Sequence, residues 1–482
     1  MMRVENGKLV KLATLLTVLV FTGLAQPLRG GKITDPLVKD KLEWWRDLKF
    51  GLFVHWAFES QWGCENSSPM YPGPVGQRHR DRMKQWEECG KDFGAWRKVF
   101  FDLNKTFNPK KFDPSKWATA ARNAGMKYVV FTTKQHTGGC FWDTQLTDYR
   151  TTHPSCPFST NSRADITKAV FEAFRREGFG IGVYFSKCDW HHPDYWRPDI
   201  EPGGRNTNCY AHEYPERWAR FVRFTHGQIM ELMMGYGPVD ILWLDAGHVR
   251  PRNKEDIDLP RLASMARVYQ PGLLVVDRYG VEEYEDYRTP ENYIPPHCIP
   301  AAGWKTSQPL SEPWETCKTM GTQWGWKPND EYKPPRELIH MLVEIVAKGG
   351  NLLLNIGADA DGRLPEAAVK RLEEIGAWIR VNKEAIYGTR IKGPYQEGRT
   401  FITRKDKRAY LIYLAEEDET IPPAEISVSC IKSGDFVRML GVRAPIKWEF
   451  DQGGLTIRIP EEVRQSPPCQ HAWGFEVAQG AE

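Results

Sequence analysis

None of the ten cysteines, at 64, 89, 140, 156, 188, 209, 298, 317, 430 and 469, forms a C-x-x-C pair, so the usual spacing of a structural zinc site is missing. No glycine-rich phosphate loop follows the first apolar run, which argues against a nucleotide-binding sheet. Charge of one sign is scarce: Lys and Arg are scattered among Asp and Glu for a net +3, with no long basic run, and nucleic acid is excluded as the expected partner. The longest early apolar stretch, 12–24, falls short of the roughly twenty residues that a membrane span needs. Internal repeats and low-complexity segments are absent.

The 482 residues suit a large domain plus a smaller one, with 41% hydrophobic and 26% charged residues, a soluble globular balance. Aromatics are plentiful: 19 Trp, 18 Tyr and 22 Phe. Aromatic faces stack on the C–H faces of sugars, so the excess suits a carbohydrate enzyme, and it equally suits a large aromatic core. At the start, Arg3, Lys8 and Lys11 precede the apolar stretch, which ends in Gly23-Leu24-Ala25 before Gln26. This is the pattern of a signal peptide over 1–25, and it predicts a secreted or periplasmic protein. Export makes disulfides permissible, and Cys64–Cys89 is the pair that can staple one loop region.

From about 50 to 357, apolar strand runs alternate with helical patterns. Strands are expected at 50–55, 127–133, 180–186, 239–245, 273–278 and 351–357. Helices are expected at 114–124, 166–177, 214–234, 259–269 and 336–348, with a closing amphipathic helix at 365–386. Fully apolar strands, each followed by a helix, indicate a buried parallel sheet, and six or so such units favour a closed (β/α)8-like TIM barrel. Beyond 390 the texture changes to short strands at 400–403, 409–414, 426–429, 436–440 and 455–459, the pattern of a small β-sandwich. The expected division is therefore signal peptide 1–25, catalytic barrel 26–390 and C-terminal sandwich 391–482. Trp448 and Trp473 alone make no exposed aromatic row, so the sandwich reads as a packing domain.

In such barrels the active site lies at the C-terminal ends of the strands. The polar groups found there are His55-Trp56, Lys134-Gln135-His136, Tyr184, Ser186, Asp245 and Asp277-Arg278, without metal-ligand spacing. Asp245 closes an apolar run and is followed by small residues, which suits a nucleophile approaching an anomeric carbon; position alone fits a structural ion pair or helix cap equally well. A retaining glycosidase needs a second carboxyl group about 5 Å away. Glu282, Glu283, Glu285, Asp286, Glu291 and Glu315 are all candidates, and spacing does not choose among them.

The motifs KFGLFVHW (49–56), KYVVFTTKQH (127–136), FGIGVYFS (179–186), DILWLDAG (240–247), VVDRYG (275–280), YRTPEN (287–292), PWETC (313–317) and KGGNLLLNIG (348–357) are specific together. On them the chain resembles glycoside hydrolase family 29, the retaining α-L-fucosidases, from about Trp44 to Arg390. The resemblance implies Asp245 as nucleophile and Glu291 as acid/base, with Glu285 and Glu315 in reserve. It implies His55, His136, Tyr184 and Arg278 as residues that line the sugar pocket or position the nucleophile; Trp56, Trp62, Gln135 and His248, beside those positions, are the further substrate-binding candidates. It implies no cofactor or metal, and as partner a glycan with a terminal α-L-sugar.

The chain also departs from the family's pattern. Gln135-His136-Thr137-Gly138 stands where many members have two His followed by Asp-Gly; Ala246-Gly247-His248 stands for Gly-Gly-Trp, and His55-Trp56-Ala57 for His-Trp-Gly. The loop 61–71 lacks the usual Glu-Trp-Tyr, although Trp62 and Glu65 are nearby. These changes cluster where the family grips its sugar. They raise a second expectation, an exo-α-L-galactosidase on plain or 6-sulfated α-L-galactose, with His248, Arg250 and Arg252 as polar company for C6. A non-catalytic sugar-binding homologue and a metal-dependent barrel hydrolase are the remaining alternatives.

Overall fold

A computed structural model describes residues 34–64, 67–71, 73–200, 202–278, 285–295 and 310–478. The signal-like segment, Glu65, Glu282, Glu283 and Cys298 lie outside the described residues.

Seven strands, all parallel, form the first sheet: β1 Phe50–His55, β2 Tyr128–Lys134, β3 Gly180–Ser186, β4 Ile241–Asp245, β5 Leu274–Asp277, β6 Glu315–Thr319 and β7 Asn351–Gly357. Their order is β5-β4-β3-β2-β1-β7-β6. Six of the seven strands are buried along their whole length, as unbroken apolar runs require when both faces are covered. β6 (ETCKT) was not expected as a strand: it has no apolar run, because its inward side chains are a carboxylate and a thiol.

The helices Pro114–Asn123, Ile166–Arg176, Pro215–Gly235, Leu259–Tyr269, Pro335–Ala347 and Glu366–Asn382 fall within a few residues of expectation. Asp113 caps the first through Ser115 N at 3.2 Å, with Pro114 at its opening turn. Gly178 ends the second with φ at +77°, a conformation in which a side chain would be strained.

Alternate residues of each strand point to opposite faces. One set, including Phe53, Tyr128, Tyr184, Trp243, Val276, Cys317 and Leu353, meets inside the curl of the sheet, and Val38, Leu42 and Trp45 of helix Pro36–Leu48 join it. All seven strands contribute to this interior, so the sheet is a barrel in its packing. β5 and β6 nevertheless share no ladder. Between them runs 285–295, held to the β6 side by bridges Arg288↔Trp314 and Glu291↔Cys317.

The C-terminal strands are β8 Gln396–Glu397, β9 Thr400–Lys405, β10 Arg408–Leu414, β11 Glu425–Val428, β12 Phe436–Met439, β13 Lys447–Asp451, β14 Gly454–Arg458 and β15 Ala472–Ala478. They form sheets β12-β15-β10-β9-β8 and β11-β14-β13, packed over Ile402, Leu411, Ile457, Trp473 and Phe475. The sandwich docks on the barrel through Trp378 Nε1, which donates to Ala472 O (2.8 Å), and through the His340 ring on His471 O (2.8 Å). Trp473 is fully buried and Trp448 packs against the same core.

The Cys64–Cys89 staple does not form. Among the described residues the cysteines make no disulfide; Cys64 Sγ donates to Glu59 O (3.6 Å), and Cys140, Cys156, Cys188, Cys209 and Cys317 are buried as small apolar groups. No helix among the described residues is long and apolar enough to cross a membrane.

Candidate active site

A cavity of about 410 Å³ opens at the C-terminal ends of the strands. His55 ends β1, Gln135 and His136 follow β2, Tyr184 lies on β3, Trp243 and Asp245 on β4, and Arg278 follows β5; all seven line the cavity, together with Glu291. Parallel register sets Ser186 beside Asp245 and Tyr184 beside Trp243, which is why residues far apart in sequence converge here.

Asp245 is the hub. Its Oδ1 accepts from Arg278 Nε (2.7 Å) and from the Ala246 backbone N–H (2.6 Å), and its Oδ2 accepts from the Tyr184 hydroxyl (2.6 Å). Burial works to raise its pKa, but Arg278, backed by these donors, holds the carboxyl well below the usual carboxylate range. The Ala246 contact needs φ of +68°, rare for a residue with a side chain, so Ala246 carries backbone strain at the nucleophile. Arg278 also pairs through Nη1 with Glu291 Oε2, so one guanidinium touches both carboxylates.

The imidazoles are neutral. Burial pushes His55 down to about 3 and His136 down to about 4. Asn355 Nδ2 donates to Trp324 O, so its Oδ1 accepts from His55 Nδ1 (2.5 Å) and Nε2 of His55 is left as an acceptor. Ser186 Oγ donates to Cys188 O and accepts from His136 Nδ1 (2.6 Å); the Nε2 of His136 then faces Asp245 Oδ2 at 4.0 Å, a gap suited to a sugar hydroxyl. Phe53, Trp243 and Trp324 form an apolar wall: Phe53 lies 5.3 Å from Trp243 and 6.1 Å from Trp324, ring centre to ring centre.

Three residues expected at the sugar lie elsewhere. Trp56 follows His55 on the strand and so points the opposite way, into the layer between sheet and helices. There it packs on Phe107, Phe112, Trp117 and Phe141 and donates to Asp359 O (2.9 Å). Trp62 packs on Trp96 and Phe100. His248 stands a layer behind His136, hydrogen-bonded to the Tyr195 hydroxyl (3.3 Å). Arg250 and Arg252 do not line the cavity either.

The reserve carboxylates are also accounted for. Glu285 pairs with Arg288, and burial pushes it up to about 7. Glu315 is sealed inside the barrel, accepts from Tyr128 OH (2.5 Å) and Trp243 Nε1 (3.1 Å), and is pushed up to about 7 by burial. It steadies a cavity wall and does not reach the cavity. Among the described residues no group of three or more His, Cys, Asp or Glu is placed to hold a metal ion.

Several lining residues carried no signal that was read in the sequence. Phe53 and Trp243 stand two positions before His55 and Asp245, so the strand period of two was enough to find them. Ser67, Ser68, Tyr71, His79, Arg205 and Trp324 come from loops and short helices without a motif.

The α-L-fucosidase family model matches residues 29–384. The chain is 26% identical to human plasma α-L-fucosidase over 464 residues, covering 90% of this chain and 89% of that one. It is 27% identical to the α-L-fucosidase of Dictyostelium discoideum, covering 79% of each. Among solved structures it is similar to α-L-fucosidase isoenzyme 1 from Paenibacillus thiaminolyticus, with TM-score 0.71, 27% identity and coverage of 92% and 100%. It is similar also to the α-fucosidase of Thermotoga maritima, with TM-score 0.69, 26% identity and coverage of 90% and 96%.

Proposed function

The chain belongs to the α-L-fucosidase family of glycoside hydrolases, and from that premise we propose that it is a retaining exo-α-L-fucosidase that removes terminal α-L-fucose from glycans by double displacement. The observation that carries the reading is the shared guanidinium, with Asp245 on Arg278 Nε and Glu291 on its Nη1. Two carboxyl groups gathered on one guanidinium at the cavity supply the nucleophile and the acid/base that a double displacement uses.

Asp245, kept ionised by Arg278, attacks the anomeric carbon while Glu291 protonates the departing oxygen. As Asp245 spends its charge in the covalent bond, Arg278 turns its full field on Glu291, which is becoming a carboxylate. Glu291 then takes a proton from water, and the water oxygen displaces Asp245 from the sugar. The neutral His55 and His136 accept hydrogen bonds from sugar hydroxyls, and the wall of Phe53, Trp243 and Trp324 suits the methyl of a 6-deoxy sugar. The basic start and apolar run ahead of residue 26 support export, to the exterior or the periplasm.

One observation favours a second reading, an exo-α-L-galactosidase. The Gln135 amide nitrogen is buried at the cavity without a hydrogen-bond partner, a donor that an additional hydroxyl can satisfy. Hydrolysis of aryl α-L-fucoside and aryl α-L-galactoside, each by wild type and Asp245→Ala, decides between them. Proton NMR of the first product tests the mechanism: the α-anomer is expected first, and the β-anomer would refute retention. Binding of both sugars without turnover would leave only a sugar-binding protein.

A further inference from the structure

The cavity is lined by two guanidiniums. Arg278 is committed to Asp245 and Glu291, whereas Arg205, among the described residues, pairs with no carboxylate. Arg205 comes from the loop after β3, and its placement is built. Its backbone carbonyl accepts from Trp190 Nε1 (3.1 Å) and from the Tyr195 hydroxyl (3.2 Å). The next residue is held as well: Trp196 Nε1 donates to Asn206 O (3.1 Å), and the Asn206 side chain donates to Glu255. The guanidinium then lies over the Tyr71 ring, 3.9 Å from its centre. A cation held over an aromatic face keeps N–H donors for a ligand, and a clamped backbone lowers the ordering cost of using them.

The side of the site matters. Tyr71 packs on Trp190 (5.3 Å), Trp190 packs on His136 (5.4 Å), and His136 faces Oδ2 of Asp245; Glu291 is reached through Oδ1 and Arg278. The leaving group departs on the Glu291 side, so a group that meets Arg205 belongs to the sugar ring inside the cavity. Ser67, Ser68 and His79 line the same cavity and can add donors.

We propose that Arg205 is a specificity-determining residue that binds a sulfate ester on a ring hydroxyl of the terminal α-L-sugar, with the anion seated against the Arg205 guanidinium in the cavity. The proposal rests on the fucosidase reading and deepens it. A sulfate ester offers only acceptors, which matches a guanidinium that pairs with no carboxylate among the described residues.

The test uses aryl α-L-fucosides bearing one sulfate ester at O2, O3 or O4, and the unsulfated parent, with the full-length wild type, Arg205→Gln and Arg205→Lys. Wild type is expected to cleave at least one sulfated probe, and Arg205→Gln to lower kcat/KM for it about 10- to 100-fold more than for the parent, the worth of a charge-assisted contact. Arg205→Lys should recover part of that loss. Equal losses on sulfated and unsulfated probes would overturn the proposal and leave Arg205 a contact for neutral hydroxyls. Wild type that cleaves the parent but no sulfated probe would also overturn it. Turnover of the parent reports on the fucosidase reading separately. If the parent is not cleaved, thermal protection by the probes decides: selective loss of protection by the sulfated probe in Arg205→Gln supports the anion site, and unchanged protection refutes it.

Discussion

Replacing Arg278 with Met keeps the aliphatic stem and removes a cation that touches both Asp245 and Glu291. The three side chains are 15%, 10% and 16% exposed, so solvent replaces little of the lost charge. An opposite charge at this range lowers a carboxylate by about 1–3 pKa units, or roughly 1.4–4 kcal/mol. Without it Asp245 keeps the burial that raises its pKa and loses the cation that lowers it. The acid limb of the kcat/KM profile on aryl α-L-fucoside should therefore move up by about 1–3 pH units. Stability gives an independent readout. A folded pKa held below the unfolded value of about 3.9 contributes stability that is present above that pH and fades as pH falls through the folded pKa. Urea midpoints of Arg278→Met should thus fall short of wild type at pH 7, by a deficit that narrows once pH drops below about 4. An acid limb within a few tenths of wild type, or a stability deficit equal at pH 7 and pH 3, would refute the electrostatic account and leave Arg278 a packing residue.

Ala246→Gly should relieve the left-handed strain and raise stability by about 1 kcal/mol, read as a higher midpoint in urea. Trp56→Ala should cost about 3–5 kcal/mol by emptying a packed site, while KM for aryl α-L-fucoside in the folded fraction stays near wild type; a large rise in KM would return Trp56 to the sugar. Glu315 has its folded pKa raised to about 7, so its contribution is present below the unfolded value and is lost as pH rises towards 7. Glu315→Gln should therefore gain on wild type between about pH 4.5 and 7, by up to about 3 kcal/mol, in urea midpoints compared at pH 5 and pH 8.

The barrel was readable because burial on both faces writes an unbroken apolar word such as VVFTT or LLLNIG. β6 escaped because its inward positions are Glu315 and Cys317, satisfied by Tyr128, Trp243 and neighbouring rings rather than by apolar contact. β15 (AWGFEVA) escaped because a glycine breaks its run, yet it is an inner strand of its sheet, paired on both sides. At the site, strand ends disclosed His55, Tyr184, Asp245 and Arg278, since position and chemistry coincide there. Trp56 shows the limit of reading motifs without alternation: the residue beside a site residue on a strand faces away from it. The loops that supply Tyr71, Arg205 and Trp324 follow no period, so only tertiary structure brings them to the cavity.

The segment set between β5 and β6 has a mechanical meaning. Asp245 is fixed by the β4 ladder, while Glu291 rides on a separate segment that bridges to β6 at Cys317 and joins β5 through Asp286 N, which donates to Val275 O (2.9 Å). The two carboxyl groups thus stand on separate stretches of backbone, and Arg278 is the rivet between them. The reach of the acid can therefore change with the 285–295 segment that carries Glu291, without rethreading any strand.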